Sequence, residues 1–258
     1  MKLRIKYTKT GPLRYISHLD VMRFFQKAIR RAGFDVSYTK GFSPHQIISF
    51  AAPMPLGMTS EGEYFDGEFN TVTNTADMVE GINETMPPYI QVLDIIKLED
   101  KAKPSMSIVA ASDYVVYDNP QSEVRPVSNL ISKGFELPDE LVALKKTKSG
   151  EKTEDIRPYI YGLGLMDTTS GEISRWILKP EGASDRVKIV TPLEEPVGLY
   201  MLLSAGSINN LKPEAVSGGL AKLFDCPYSA GDERIHRLDT FMNSDTGFAS
   251  LDKSGERF

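Results

Sequence analysis

Cysteine is nearly missing from this chain. Cys226 is the only one among 258 residues, so no disulfide can close within it, and no cysteine cluster can bind zinc or iron–sulfur. A lone cysteine followed by Pro227 reads as a small structural residue. Histidine is scarce as well: His18, His45 and His236 are the only imidazoles, and no two are four residues apart, which excludes a helical two-histidine metal site. No cofactor is expected. No apolar run approaches the roughly 20 residues that span a bilayer. The start, Met1-Lys-Leu-Arg-Ile-Lys, lacks the apolar stretch of a signal peptide, so the expectation is a cytoplasmic protein without a membrane partner.

Nucleotide and hydrolase signatures are absent too: there is no P-loop, no GxGxxG after a strand, no HExxH and no GxSxG. Gly162-Leu-Gly164 lacks the third glycine and a following helix. The three-cysteine motif that holds the cluster of radical SAM enzymes cannot exist with one cysteine.

What is present is a packable composition, 41% hydrophobic and 25% charged, with an uneven charge distribution. The net charge is −5, yet the first 45 residues set Lys2, Arg4, Lys6, Lys9, Arg14, Arg23, Lys27, Arg30, Arg31 and Lys40 against only Asp20 and Asp35. The following stretch is acidic, with Glu61, Glu63, Asp66, Glu68, Asp77, Glu80, Glu84 and Asp94. Two readings stay open: a basic face that steers a polyanion, or basic and acidic segments that pair across a sheet.

Periodicity gives the elements. Lys2–Thr8 alternates as a half-buried strand with Leu3, Ile5 and Tyr7 on one side. Ser17 and Asp20 open a helix in which Val21, Met22, Phe25, Ala28, Ile29 and Ala32 face inward, Arg23, Lys27, Arg30 and Arg31 face outward, and Gly33 ends it. Strands are expected over 34–38, 47–51, 61–69 and 90–98, with a second helix over 75–86 stopped by Pro87-Pro88. The order βαββαβ predicts an α+β, ferredoxin-like sandwich over 1–103. A second, similar α+β module is expected over 104–205. It would hold strands at 107–117, 137–146, 153–165, 172–178 and 186–190, a hairpin turn at Lys148-Ser149-Gly150-Glu151, and a short helix at 197–204. Residues 206–258 read as a partly irregular C-terminal extension.

Three constellations could carry chemistry. The first is Leu13-Arg14-Tyr15-Ile16-Ser17-His18-Leu19-Asp20, with His18 in the first helical turn; the competing view is a capping segment. The second is the loop Lys40-Gly41-Phe42-Ser43-Pro44-His45, where His45 is an acid–base group or ligand, or else a solvated imidazole. The third is Asp155-Ile156-Arg157-Pro158, preceded by Lys145, Lys146, Lys148 and Lys152; Arg157 binds an anion or pairs with Asp155 or Glu154. Tyr7, Tyr15, Phe24, Tyr38 and Phe42 interleave with basic residues, a mixture found both in cores and in surfaces that stack bases.

The run LRYISHLDVMRFFQKAIRRAGFDVSYTKGFSPHQIISFAAPMPLGMTSEGEYFD, Leu13 to Asp66, closely resembles the radical SAM-linked protein family, also called the DUF2344 domain. KTEDIRPYI, Lys152 to Ile160, looks like that family's second motif. The resemblance covers roughly residues 1–200 and reaches His18, Asp20, Gly41, Pro44, His45, Glu61, Glu63 and Arg157. Members of that family are encoded beside, or fused to, a radical SAM protein. The resemblance therefore implies an accessory protein that presents a substrate, with RNA as the candidate, to a separate radical SAM partner. On this basis His18 and His45 are the candidate catalytic residues. The candidate binding residues are Arg14, Asp20, Arg23, Lys40, Gly41, Ser43, Pro44, Glu61, Glu63 and Arg157. The alternative is a metal-independent RNA-binding or RNA-cleaving protein that uses histidine acid–base chemistry.

Overall fold

The computed structural model describes residues 1–147, 150–207 and 209–258, without the side chains of 144–152. The chain forms two units, 1–110 with 239–258 and 111–238.

The first unit begins with β1 (Lys2–Lys9), then α1 (His18–Arg31), β2 (Ile48–Phe50), β3 (Thr59–Glu68), α2 (Thr75–Asn83), β4 (Val92–Lys97) and α3 (Ser105–Ile108). The expected βαββαβ element order is present. The sheet runs β4-β1-β3, with β2 also on β3, and every one of these pairs is antiparallel. Ser17 caps α1 by accepting from the Asp20 amide, and Gly33, at φ 74°, follows its C-cap residue Ala32. Both helices press on one face of the sheet. Val21, Phe25, Ala28 and Ile29 of α1 and Met78 and Ile82 of α2 share a core with Leu3, Ile5, Tyr7 and Phe65. Within it the rings of Tyr7 and Phe25 lie 4.7 Å apart, as do those of Phe25 and Phe65.

The second unit begins within β5 (Val109–Asp118). It continues through α4 (Pro126–Lys133), the hairpin β6 (Val142–Thr147) and β7 (Gly150–Asp155), β8 (Ile160–Asp167), β9 (Ile173–Leu178), β10 (Val197–Ser204) and α5 (Pro213–Leu223). The last strands are β11 (Glu233–Ser244) and β12 (Gly247–Ser250). The order here is β11-β5-β10-β8-β9. The path β5-α4-β8-β10-α5-β11 thus repeats that of the first unit, with β6–β7 and β9 as insertions. β11 enters from the second unit and finishes, after Leu238, in the first.

Several sequence expectations change. Residues 197–204 are the strand β10, not a helix; all but Val197 are buried, so no period-two alternation marks it. Residues 186–190 form no strand beyond a single bridge from Arg186 to Glu172. Residues 34–38 form only the bridges Val36 to Phe69 and Tyr38 to Gln46. The stretch 206–258, expected as a partly irregular extension, carries α5, β11 and β12. Lys148 and Ser149 of the expected hairpin turn lie outside the described residues.

β1 differs most in its energetics. It is buried on both faces, because the C-terminal segment lies across the face opposite the helices. Arg4 meets Asp66 through Nε and Nη2 at 2.8 and 3.1 Å and donates to Ser254 Oγ at 2.6 Å. Lys6 Nζ lies 2.7 Å from Asp239 and 3.5 Å from Asp252. Burial pushes the Lys6 ammonium down, but the two carboxylates outweigh it and hold it above its ordinary value. Tyr64 donates to Asp239 at 2.6 Å, and its hydroxyl is raised by burial first and then by that carboxylate. Asp239→Ala leaves both Lys6 and Tyr64 short of a partner, and we expect a loss of about 2–3 kcal/mol in urea denaturation. A loss under about 0.5 kcal/mol would show that this network does not hold the C-terminal segment.

Candidate functional site

The candidate residues of the first unit fall into two groups. The first is an exposed face. Leu19, Arg23, Gln26 and Arg30 recur at i, i+4, i+7 and i+11 of α1 and so share one side of the helix, with Lys27 at its border. Arg23, Lys27, Arg30 and Arg31 are all exposed. The segment 38–46 is fastened to this side, since Gln46 Nε2 donates to the Gln26 carbonyl at 3.1 Å. The segment folds back on itself through the Tyr38–Gln46 bridge and a Thr39 amide bond to the His45 carbonyl at 2.9 Å. Gly41 takes φ 121°, a value open to glycine and costly for other residues, and so turns the tip. The consequence is a Phe42 ring wholly in solvent, at 111% of its reference exposure, beside exposed Lys40, Ser43 and Pro44. Tyr38 is about half exposed.

His45 stands in this loop as an exposed imidazole whose Nδ1 lies 3.1 Å from Thr39 Oγ1. Asp20 is committed to the helix cap. It accepts from Ser17 Oγ at 2.7 Å and pairs with Arg23 at 3.3 Å, and the Ser17 bond foremost holds its carboxyl below the ordinary value. Arg14 donates to the Gly11 carbonyl at 3.1 Å.

The second group is buried. Register slips between Tyr7 and Lys9, where β1 meets the start of β3, and Lys9 ends 1% exposed with Nζ donating to the Ile16 carbonyl at 3.1 Å. Glu61 and Glu63 of β3 are 3% and 2% exposed. His18, the first residue of α1, packs edge-on against Phe50 with centroids 5.1 Å apart. Burial pulls the His18 imidazole below its ordinary value; the Glu63 carboxylate opposes this and the Lys9 ammonium adds to it. Burial lowers Lys9 as well, again against Glu63. The three side chains are therefore within electrostatic reach, and the imidazole is held neutral at neutral pH.

The structure thus gathers Arg23, Lys40, Gly41, Ser43, Pro44 and His45 on one side of α1, and His18 with Glu63 inside. Arg157 belongs to the second unit. Its amide donates to Asp155 and its Nε to the Pro138 carbonyl at 3.2 Å, which leaves the pairing with Asp155 a backbone cap rather than an ion pair. The side chains of Lys145, Lys146, Lys148 and Lys152 lie outside the described residues. In the sequence Lys9 is one of several lysines in a basic strand, and little there sets it apart as a site residue. A lysine just before Thr10-Gly11-Pro12, at a strand end, is the one local hint. Among the described residues no group of three or more His, Cys, Asp or Glu could hold a metal ion, and no helix is long and apolar enough to cross a membrane.

The fold and these groups define an α+β protein of duplicated strand path, with a basic, aromatic face and a buried cation–carboxylate–imidazole cluster. The chain belongs to the family described as "Uncharacterized protein conserved in bacteria (DUF2344)", whose pattern matches residues 2–213. No curated protein matches it.

The neutral His18 sets a pH dependence. A group whose value is lower in the folded state is protonated first in the unfolded chain, so stability falls as pH drops below about 6.5, the unperturbed imidazole value. His18→Gln is expected to be less acid-labile than the parent when melting temperatures at pH 5 and pH 7 are compared. Equal losses in the two proteins would remove His18 from this role.

Proposed function

We propose that this protein binds single-stranded RNA on the face formed by α1 and the segment 38–46, and presents it to a separate radical SAM enzyme. The observation that carries the reading is the Phe42 ring held wholly in solvent beside Lys40 and the exposed arginines of α1. Burying that ring is favourable, yet Gly41 turns it outward, and a base has the flat apolar face to cover it. The cations around it would track the phosphates without reading sequence. Its partner enzyme is inferred from the family resemblance of the Leu13–Asp66 run.

Fluorescence anisotropy with a labelled 12-nucleotide RNA tests the face. Phe42→Ala should weaken binding by roughly 5- to 100-fold, the range for one stacked base. Arg23→Glu with Arg30→Glu should weaken it further and flatten its salt dependence. Unchanged affinity in both variants would sink the RNA reading. The partner is tested by anaerobic capture of the tagged protein from its host: near-stoichiometric recovery of a radical SAM protein supports the pairing, and its consistent absence moves weight to an independent activity.

A second reading rests on His18. A half-buried imidazole kept neutral between Lys9 and Glu63 is the form that takes a proton from a ribose 2′-hydroxyl. RNA incubated with the protein in EDTA would then be cleaved, and His18→Gln would abolish the cleavage. Intact RNA, or cleavage indifferent to that substitution, rules it out.

A further inference from the structure

The second unit holds a buried acid that the functional reading does not use. Glu233, the first residue of β11, is 5% exposed. Its Oε1 lies 2.9 Å from the Tyr228 hydroxyl, and the same hydroxyl lies 3.1 Å from the Glu214 carbonyl on the first turn of α5. One hydroxyl hydrogen thus faces two acceptors and can satisfy only one. Glu233 Oε2 and Glu214 Oε2 are buried with no hydrogen-bond partner among the described residues. The Ser217 hydroxyl approaches the Glu233 carboxylate and is also buried without an aligned bond.

We propose that Glu233 is a proton-operated latch: its protonated acid ties the start of β11 to α5, and its ionised form loosens that tie. With a proton on Oε1, Glu233 donates to the Tyr228 oxygen, and Tyr228 then donates to the Glu214 carbonyl. The relay is complete and every hydrogen has one acceptor. Without that proton, the tyrosine must abandon one of the two, and a carboxylate is left buried.

The charges around it favour the protonated state. Glu214 on α5, Asp232 beside it and Asp118 at the end of β5 are acidic. The nearby cations are engaged elsewhere: Arg125 with Asp118 and Glu195, at 3.3 and 2.8 Å, and Arg234 towards Glu194 and Gln121. Burial foremost, opposed by Ser217 and Tyr228 and reinforced by Glu214 and Asp118, pushes the carboxyl up from 4.5 to about 7. Since the folded-state value is the higher one, the stabilisation is complete below the unfolded value and is lost as pH rises between about 4.5 and about 7.

Carboxyl carbon-13 NMR of Glu233 in the full chain, with amide exchange of α5 and β11 at pH 6 and pH 8, tests the latch. The expected midpoint lies within a unit of neutrality. After correction for intrinsic base catalysis, α5 amides should exchange roughly tenfold faster at pH 8 than at pH 6, a difference that Glu233→Gln erases. Glu214→Gln, which removes a like charge, should move the midpoint down. A midpoint below pH 5.5 or equal protection at the two pH values overturns the proposal. So does a midpoint that follows added potassium or magnesium, because a cation rather than a proton would then occupy these oxygens.

Discussion

The first unit depends on neutralising three cations in a single strand, two of them buried and one, Lys6, partly so. Arg4, Lys6 and Lys9 alternate with, or adjoin, the apolar residues that β1 gives to the core, and Arg4 and Lys9 are each 1% exposed. A buried cation without an anion costs several kcal/mol, so each position dictates where an acid must lie. Asp66 answers Arg4 across the sheet at the pairing Arg4–Asp66. Lys6 is answered by Asp239 and Asp252, from the far end of the chain. Lys9 feels Glu63, which also acts on His18. The C-terminal residues are therefore structural parts of the first unit.

This explains what the sequence shows and what it hides. Local signals were plain: Ser17, the apolar stripe Val21–Phe25–Ala28–Ile29 and Gly33 delimit α1 because cap, face and stop all act within a few residues. The alternation of β1 marks a strand but not its second buried face, because residues more than two hundred positions away cover that face. β10 reads as a helix in sequence because a strand buried on both faces loses alternation. β11 was passed over because ERIHRLDTFMNS is polar, and its His236, Arg237 and Thr240 are nonetheless buried. Polar residues inside a sheet have no composition signature; only their partners make the strand tenable.

The same distinction divides the candidate site. The two readings of the uneven charge fall on different elements. Of the basic residues of β1, Arg4 and Lys6 pair with acids across and beyond the sheet, while Lys2 and Lys9 donate to backbone carbonyls. Those of α1 remain in solvent, and with them stands the Phe42 ring. An exposed pair such as Asp20–Arg23 contributes little stability. Exposed cations gathered on one side of a helix, next to an aromatic turned outward, are the features on which the RNA proposal rests.

The second unit meets the cost of buried charge by another route. Where β1 matches cations with carboxylates, the start of β11 sets Glu233 among Glu214, Asp232 and Asp118, and answers it with hydroxyls. Hydroxyls can satisfy a neutral acid completely, but only soften an ion whose neighbours share its sign. In an ion pair the two charges compensate each other without a shared proton. An acid held by Tyr228 and its own proton depends on that proton. Two units built on one strand path therefore meet buried charge differently: the first pairs it and keeps His18 as its pH-sensitive group, and the second changes where Glu233 gives up its proton.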